Sequence, residues 1–448
     1  MGFFGKSDEE KKNDDGFFYL KERDFDAALS CLDESIEINT SDTRSKKKQL
    51  LKSFEGKSRV FESQCMWAKV LNCMDLIQQN FSLNPSFNEF DLDKEIWNRK
   101  GYAELMLGLF SNAEVSFHSS LDFFNREDYN AWFYRGVASH VMGHYRESEE
   151  YYDQAILHCT LDPPWKIYLH KGLLNAAYAN FVERDDENRF KNFHLSAIES
   201  YDKIIDGRQE FYFNEAGAMN EIIRSFTEYS ALIAKGKSLY KLQKYEESIA
   251  CFDKCEKKSI EIGKSTYKRW KDKESDALID KGKSLYKLQK YEESIAYFDK
   301  SLKLMPENGF AHAGKGKVLS QLGRYEESIA YFDKSIKLNI ALSNSRFSTP
   351  KLDESYLYSL QPFLDHNRLN FHIANVLFSK GKVLMTLGYK LEAEECFHTS
   401  KLLEVDKEKN MDKLKTMKFS DPLNILKLRL AKGEITIEEF KKIKGILE

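Results

Sequence analysis

Apolar positions recur along this chain at helical spacing, in blocks divided by short polar turns. Tyr245, Ser248, Ile249 and Phe252 fall at i, i+3, i+4 and i+7, one face of an α-helix. Leu232, Gly236, Leu239 and Tyr240 make a similar stripe just before it, and Gln243-Lys244 separates the two. The pattern predicts a helix–turn–helix unit. Gly108, Gly143, Gly323 and Gly388 stand in the corresponding turn of other copies, where a positive φ is useful. Gly236 and its counterparts fall inside the first helix. Glycine there costs about 1 kcal/mol of helix propensity, which is explained if a neighbouring helix packs too closely for a Cβ.

The unit repeats. Residues 235–254 read KGKSLYKLQKYEESIACFDK, residues 281–300 read KGKSLYKLQKYEESIAYFDK, and residues 315–334 read KGKVLSQLGRYEESIAYFDK. Gly282 and Gly316 are 34 residues apart. Further copies carry Trp97, Gly101, Gly108, Phe110, Ala113, Phe117 and Ser120, then Trp132, Gly136, Gly143, Tyr145, Ser148, Tyr152 and Ala155. A weaker first copy holds Gly16, Phe25, Ala28, Leu32 and Ser35, and a last one Gly381, Gly388, Ala393, Phe397 and Ser400.

This order of aromatic, glycine, turn and small residues resembles the tetratricopeptide repeat family, over most of residues 9–404. The resemblance implies an all-α, right-handed superhelical solenoid of about eight to nine antiparallel helical hairpins. Motif glycines are read at Gly16, Gly56, Gly101, Gly136, Gly172, Gly236, Gly282, Gly316 and Gly381. The copy at Gly56 is degenerate beyond Ala68. Insertions are expected near 183–193, 256–275 and 340–364. The long interval from Gly172 to Gly236 fits one extended helix over roughly 215–242, since no proline interrupts it. The stretch near 340–364 holds Pro350 and Pro362 and reads as a loop with short helical pieces.

Residues 1–8 read as a disordered tail and 405–420 as a linker. In the last segment, 421–448, Asp421 and Pro422 start one helix, Gly433 ends it, and Thr436 and Glu439 form a capping box for a second. This G-x-I-T-x-E-E-F segment resembles the short C-terminal domain family (SHOCT), common in bacteria and archaea. The resemblance implies a small helical hairpin used for oligomerisation or docking, and with it a homo-oligomer through residues 421–448.

Composition narrows the function. The 448 residues carry a net charge of −3, so no global pull toward nucleic acid or anionic lipid exists. No apolar run is long enough for a membrane span. The seven cysteines form no C-x-x-C, and Cys251 and Cys255, four apart on one helix, lack further ligands at metal spacing. Gly56-Lys57-Ser58, Gly236-Lys237-Ser238 and Gly282-Lys283-Ser284 mimic the end of a phosphate loop, but the upstream glycine is missing and no strand precedes them. His140 and His144 have no third ligand. No catalytic residue, metal site or cofactor is expected, and a reducing, cytoplasmic setting fits the cysteines.

In the resembling family the first helix of each hairpin lines a concave groove, and the residue after the motif glycine faces it. Here those residues are Tyr102, Val137 and Leu173 early, then Lys237, Lys283, Lys317 and Lys382; one turn onward come His140, Tyr240 and Tyr286. Such a lysine ladder suits an acidic peptide or a chain's terminal carboxylate, although lysines are also ordinary solvated helix residues. The expected function is a non-catalytic scaffold binding a peptide or protein segment in the groove. The alternative is a regulatory or sensor solenoid acting on a transcription factor or a membrane-associated complex.

Overall fold

The computed structural model describes residues 7–38, 44–81, 90–123, 126–160, 164–182, 186–206, 217–261, 268–345, 366–405 and 441. Among them lie eighteen α-helices and no strand: α1 (Asp8–Lys21), α2 (Phe25–Ile38), α3 (Arg44–Ser63), α4 (Trp67–Phe81), α5 (Phe90–Met106), α6 (Phe110–Phe123), α7 (Tyr129–Met142), α8 (Tyr145–His158), α9 (Trp165–Val182), α10 (Glu187–Ile205), α11 (Gly217–Lys241), α12 (Tyr245–Glu261), α13 (Lys268–Lys287), α14 (Tyr291–Leu304), α15 (Gly309–Gln321), α16 (Tyr325–Ser345), α17 (His366–Thr386) and α18 (Lys390–Val405). Among the described residues, eight successive pairs pack as hairpins: α1–α2, α3–α4, α5–α6, α7–α8, α11–α12, α13–α14, α15–α16 and α17–α18. The chain forms two compact units, one running to Leu174 and the other taking up at Asn175. Within each unit, every hairpin packs on the next in sequence. The fold is the expected all-α array of repeated hairpins. Residues 1–6, the segment near 346–365, the linker and the C-terminal module, apart from Lys441, lie outside the described residues.

One geometry recurs in most of the hairpins. An added Cβ on Gly236 would sit 2.7 Å from the Phe252 ring, and one on Gly136 would sit 2.7 Å from Tyr152. The aromatic side chain of the second helix thus lies where the first helix has no side chain. Twelve residues after the glycine, a buried serine donates to that glycine's carbonyl: Ser148 to Gly136 (2.7 Å), Ser248 to Gly236 (2.8 Å), Ser294 to Gly282 (2.7 Å) and Ser328 to Gly316 (2.8 Å). Aromatic burial and a satisfied carbonyl hold the two helices of a hairpin together.

Seven residues after the same point, the chain turns through a left-handed residue. Gly108, Gly143, Gly323 and Gly388 have φ of 78, 83, 74 and 85°, while Arg23, Cys65, Gln243 and Gln289 adopt φ of 62, 54, 62 and 61° at the equivalent place. This register corrects the reading at Gly56. Counting back seven from Cys65 gives Ser58, which is fully buried and takes the glycine's place. Gly56 lies two residues earlier and faces the preceding hairpin, where an added Cβ would come within 2.9 Å of Leu32. A side chain at positive φ costs about 1 kcal/mol relative to glycine. Gln243→Gly and Gln289→Gly are therefore each expected to stabilise the second unit by roughly that amount, read as a higher urea midpoint with unchanged slope.

The insertions expected near 183–193 and 256–275 are largely drawn into helices. Asp186 caps α10, accepting from the backbone N–H groups of Asn188 and Arg189, both at 3.0 Å, so the helix starts at Glu187. Helix α12 continues to Glu261 and α13 begins at Lys268. Helix α11 is the single long helix that the proline-free interval suggests.

Candidate protein-binding face

Two kinds of lysine flank the motif glycine, and they have different work. Lysine or arginine one residue before the glycine position joins consecutive hairpins. Lys57 pairs with Asp33, Lys100 with Asp75 (2.8 Å), Arg135 with Glu114 (2.7 Å) and Lys171 with Asp153 in the first unit. Lys235 pairs with Asp202, Lys281 with Asp253, Lys315 with Asp299 and Lys380 with Asp333 in the second. In all but Arg135–Glu114, the acid directly follows the residue of the preceding second helix that occupies the aromatic position, as in Phe252-Asp253 and Phe298-Asp299. One residue packs under its own hairpin's glycine, and the next reaches the following hairpin. Burial lowers the Lys281 ammonium, yet bonds to Asp253 and Tyr297 outweigh it and hold its pKa above the ordinary lysine value. Sequence reasoning missed this ladder, although K-G in the first helix and aromatic-Asp in the second were visible in the three clearest copies.

The lysine after the glycine lies elsewhere. Lys237 on α11 and Lys283 on α13 share one carboxylate, Asp280, at 3.5 and 2.8 Å. Lys317 on α15 is part-buried, and no other described residue pairs with it. Burial, with the ammonium groups of Lys283 and Lys287 adding to it, holds Lys317 below the ordinary lysine value. Tyr240 and Tyr286 stand one turn on. Burial, reinforced by Tyr245, Asp280 and Tyr286, pushes Tyr240 up to about 12, and burial raises Tyr286 as well. Thus α11, α13 and α15 bring Lys237, Tyr240, Asp280, Lys283, Tyr286, Lys287 and Lys317 together, with cations in excess. Lys382, on α17, is exposed, its ammonium 4.7 Å from the centre of the Phe378 ring.

The two candidates from the first unit are corrected. Tyr102 is 9% exposed, with its ring meeting Trp67 and Tyr134 edge-on at 5.4 and 5.2 Å. His140 is fully buried, and neither ring nitrogen has a hydrogen-bond partner. Both belong to the core, because aromatic side chains from adjacent helices close over this part of the first unit. Neither presents a surface to a partner.

Among the described residues no group of three or more His, Cys, Asp or Glu side chains is placed to hold a metal, and no helix is long and apolar enough to cross a membrane. Cys251 and Cys255 are both buried, and burial pushes both thiols up.

Residues 229–257 and 279–341 match models of the tetratricopeptide repeat family. A comparison with curated protein sequences finds no match. Among solved structures, a tetratricopeptide repeat protein from Parabacteroides merdae is similar at 12% identity and a TM-score of 0.44, over 70% of this chain and 99% of its own. The apo form of the quorum sensor NprR from B. thuringiensis is similar at 15% identity and a TM-score of 0.48, over 74% of this chain and 87% of its own. The apo form of RapI is similar at 13% identity and a TM-score of 0.43, over 88% of this chain and 97% of its own.

Proposed function

We propose that this protein is a non-catalytic, cytoplasmic interaction scaffold whose second unit binds an acidic segment of a partner protein along the first-helix face of α11, α13 and α15. The observation that carries this reading is a run of lysines with one carboxylate among them: Lys237 and Lys283 share Asp280, and Lys283 and Lys287 lie close enough to the part-buried Lys317 to hold its pKa down. Like charges placed together without enough counter-charge cost stability, and an anionic partner relieves that cost. Tyr240 and Tyr286 add flat, half-buried rings that a peptide backbone can lie against. Rigid hairpins pre-organise this surface, so little ordering of the scaffold opposes binding. In this reading residues 421–448 serve as an oligomerisation or docking module, separate from the lysine face.

Selection of a random displayed peptide library on the whole protein tests the reading. Peptides rich in Asp and Glu are expected to emerge from the wild-type protein, and the Lys283→Glu, Lys317→Glu double variant is expected to lose them. Enrichment of neutral or basic sequences, or the same acidic set from the variant, would contradict it.

A further inference from the structure

The lysine face does not end in lysines. On α17, Phe371, Phe378 and Met385 follow at steps of seven residues, which is nearly two helical turns and draws one line along the helix. They are 54, 45 and 41% exposed, unusual for large apolar side chains on a first helix whose Val376, Leu377, Val383 and Leu384 are almost completely buried. Lys382 lies on the same line. It directly follows Gly381, as Lys237, Lys283 and Lys317 follow Gly236, Gly282 and Gly316. That shared register puts the apolar line and the lysine cluster on corresponding faces of neighbouring first helices, and α17 packs beside α15 within the second unit. Packed helix axes lie about 8–10 Å apart, a distance that three extended residues span.

From this arrangement we infer that the partner segment is bipartite, with a run of acidic residues seated on Lys283, Lys287 and Lys317 and, about three residues away, large apolar side chains seated on Phe371, Phe378 and Met385. This rests on the reading of the lysine face given above and names what the partner must carry beyond charge. The acidic half of the occupant follows from charge complementarity. The chain's own residues 406–448 contain more Lys and Arg than Asp and Glu, so they are a poor complement to the cluster. The apolar half follows from the change in lining one hairpin further on. Tyr286 and Ser320 follow their motif glycines by four residues, as Met385 follows Gly381, so polar side chains give way to an apolar one only at α17. Lys382 marks the junction, since its ammonium over the Phe378 ring leaves a cation at the rim of the apolar line.

The test is fluorescence anisotropy on the full chain with labelled synthetic peptides. One is a block of four glutamates. Two others join that block through Gly-Ser-Gly to Phe-Ser-Leu, one in each order, because either chain direction can run along the face. One of the joined peptides is expected to bind at least tenfold more tightly than the glutamate block alone. Phe371→Ser and Met385→Ser, made singly and together at these exposed positions, are expected to remove that gain and leave the affinity for the glutamate block unchanged. Equal binding of joined and simple peptides, or a gain that survives both substitutions, overturns the bipartite partner and leaves the lysine face standing. Failure of the glutamate block itself to bind, or binding unchanged by Lys317→Glu, overturns the lysine face and this inference with it.

Discussion

Replacing Lys380 with methionine is expected to lower the stability of the second unit by about 3–5 kcal/mol, among the largest effects of any single charged-to-apolar exchange in this chain. The Lys380 and Asp333 side chains are only 7 and 11% exposed, unlike most other rungs of the ladder, where the acid is open to water. Burial pulls the Lys380 ammonium down, but the Asp333 carboxylate beside it holds it above the ordinary lysine value. Without the lysine, Asp333 is left charged in the core, with one oxygen already lacking a hydrogen bond. The same exchange at Lys171, whose partner Asp153 is 54% exposed, is expected to cost about 1 kcal/mol or less. Urea titration compares them. A double variant, Lys380→Met with Asp333→Leu, is expected to recover most of the loss, because two apolar side chains of similar volume remove the buried charge altogether. If Lys380→Met is as mild as Lys171→Met, the buried pair does not hold the last two described hairpins together.

Acidification should destabilise the first unit through His140. Burial alone pushes its pKa down to about 3, against 6.5 for the free side chain. Its neighbour Tyr145, 6.1 Å away ring to ring, supplies no charge. Below pH 6.5 the unfolded chain takes up a proton that the folded chain refuses. The unfolded state then binds more protons, so stability is lost as pH falls from about 6.5 toward 3. One pKa unit corresponds to about 1.36 kcal/mol, which sets an upper bound of roughly 4–5 kcal/mol for the full shift. His140→Leu is expected to flatten this dependence while changing stability little at pH 8, since neither imidazole nitrogen has a hydrogen bond to lose. Urea midpoints from pH 8 to pH 4 for the two proteins give the comparison. Parallel curves would show that His140 does not contribute.

The sequence carries the hairpin register because each hairpin depends on a few side chains at fixed offsets. Gly236 makes room for Phe252, Ser248 closes on the Gly236 carbonyl, and the left-handed residue follows at a constant interval. Where a different residue does the same job, the pattern misleads. Ser58 stands in for glycine, and Gly56, which faces Leu32 instead, attracts the eye. The first-unit site residues fail for a related reason. Tyr102 and His140 occupy places in the repeat that Lys237 and Tyr240 occupy elsewhere, but surrounding rings decide whether a place is open, and those rings come from other helices. The lysines are the converse case. Lys235 and Lys237 are alike in sequence and flank one glycine, yet one bonds the preceding hairpin and the other joins the face with cations in excess. Only the positions of Asp202 and Asp280 on neighbouring helices tell them apart.

Lysine footprinting shows which face of the second unit an acidic segment covers. The full chain is briefly acetylated with and without a saturating acidic peptide, and modification is read at each lysine by mass spectrometry. Lys283, Lys287 and Lys317 are expected to become shielded while Lys254, Lys303 and Lys337, on the second helices of the same unit, are not. Shielding of the second-helix lysines instead, or no change at the three first-helix lysines under saturating peptide, would contradict it.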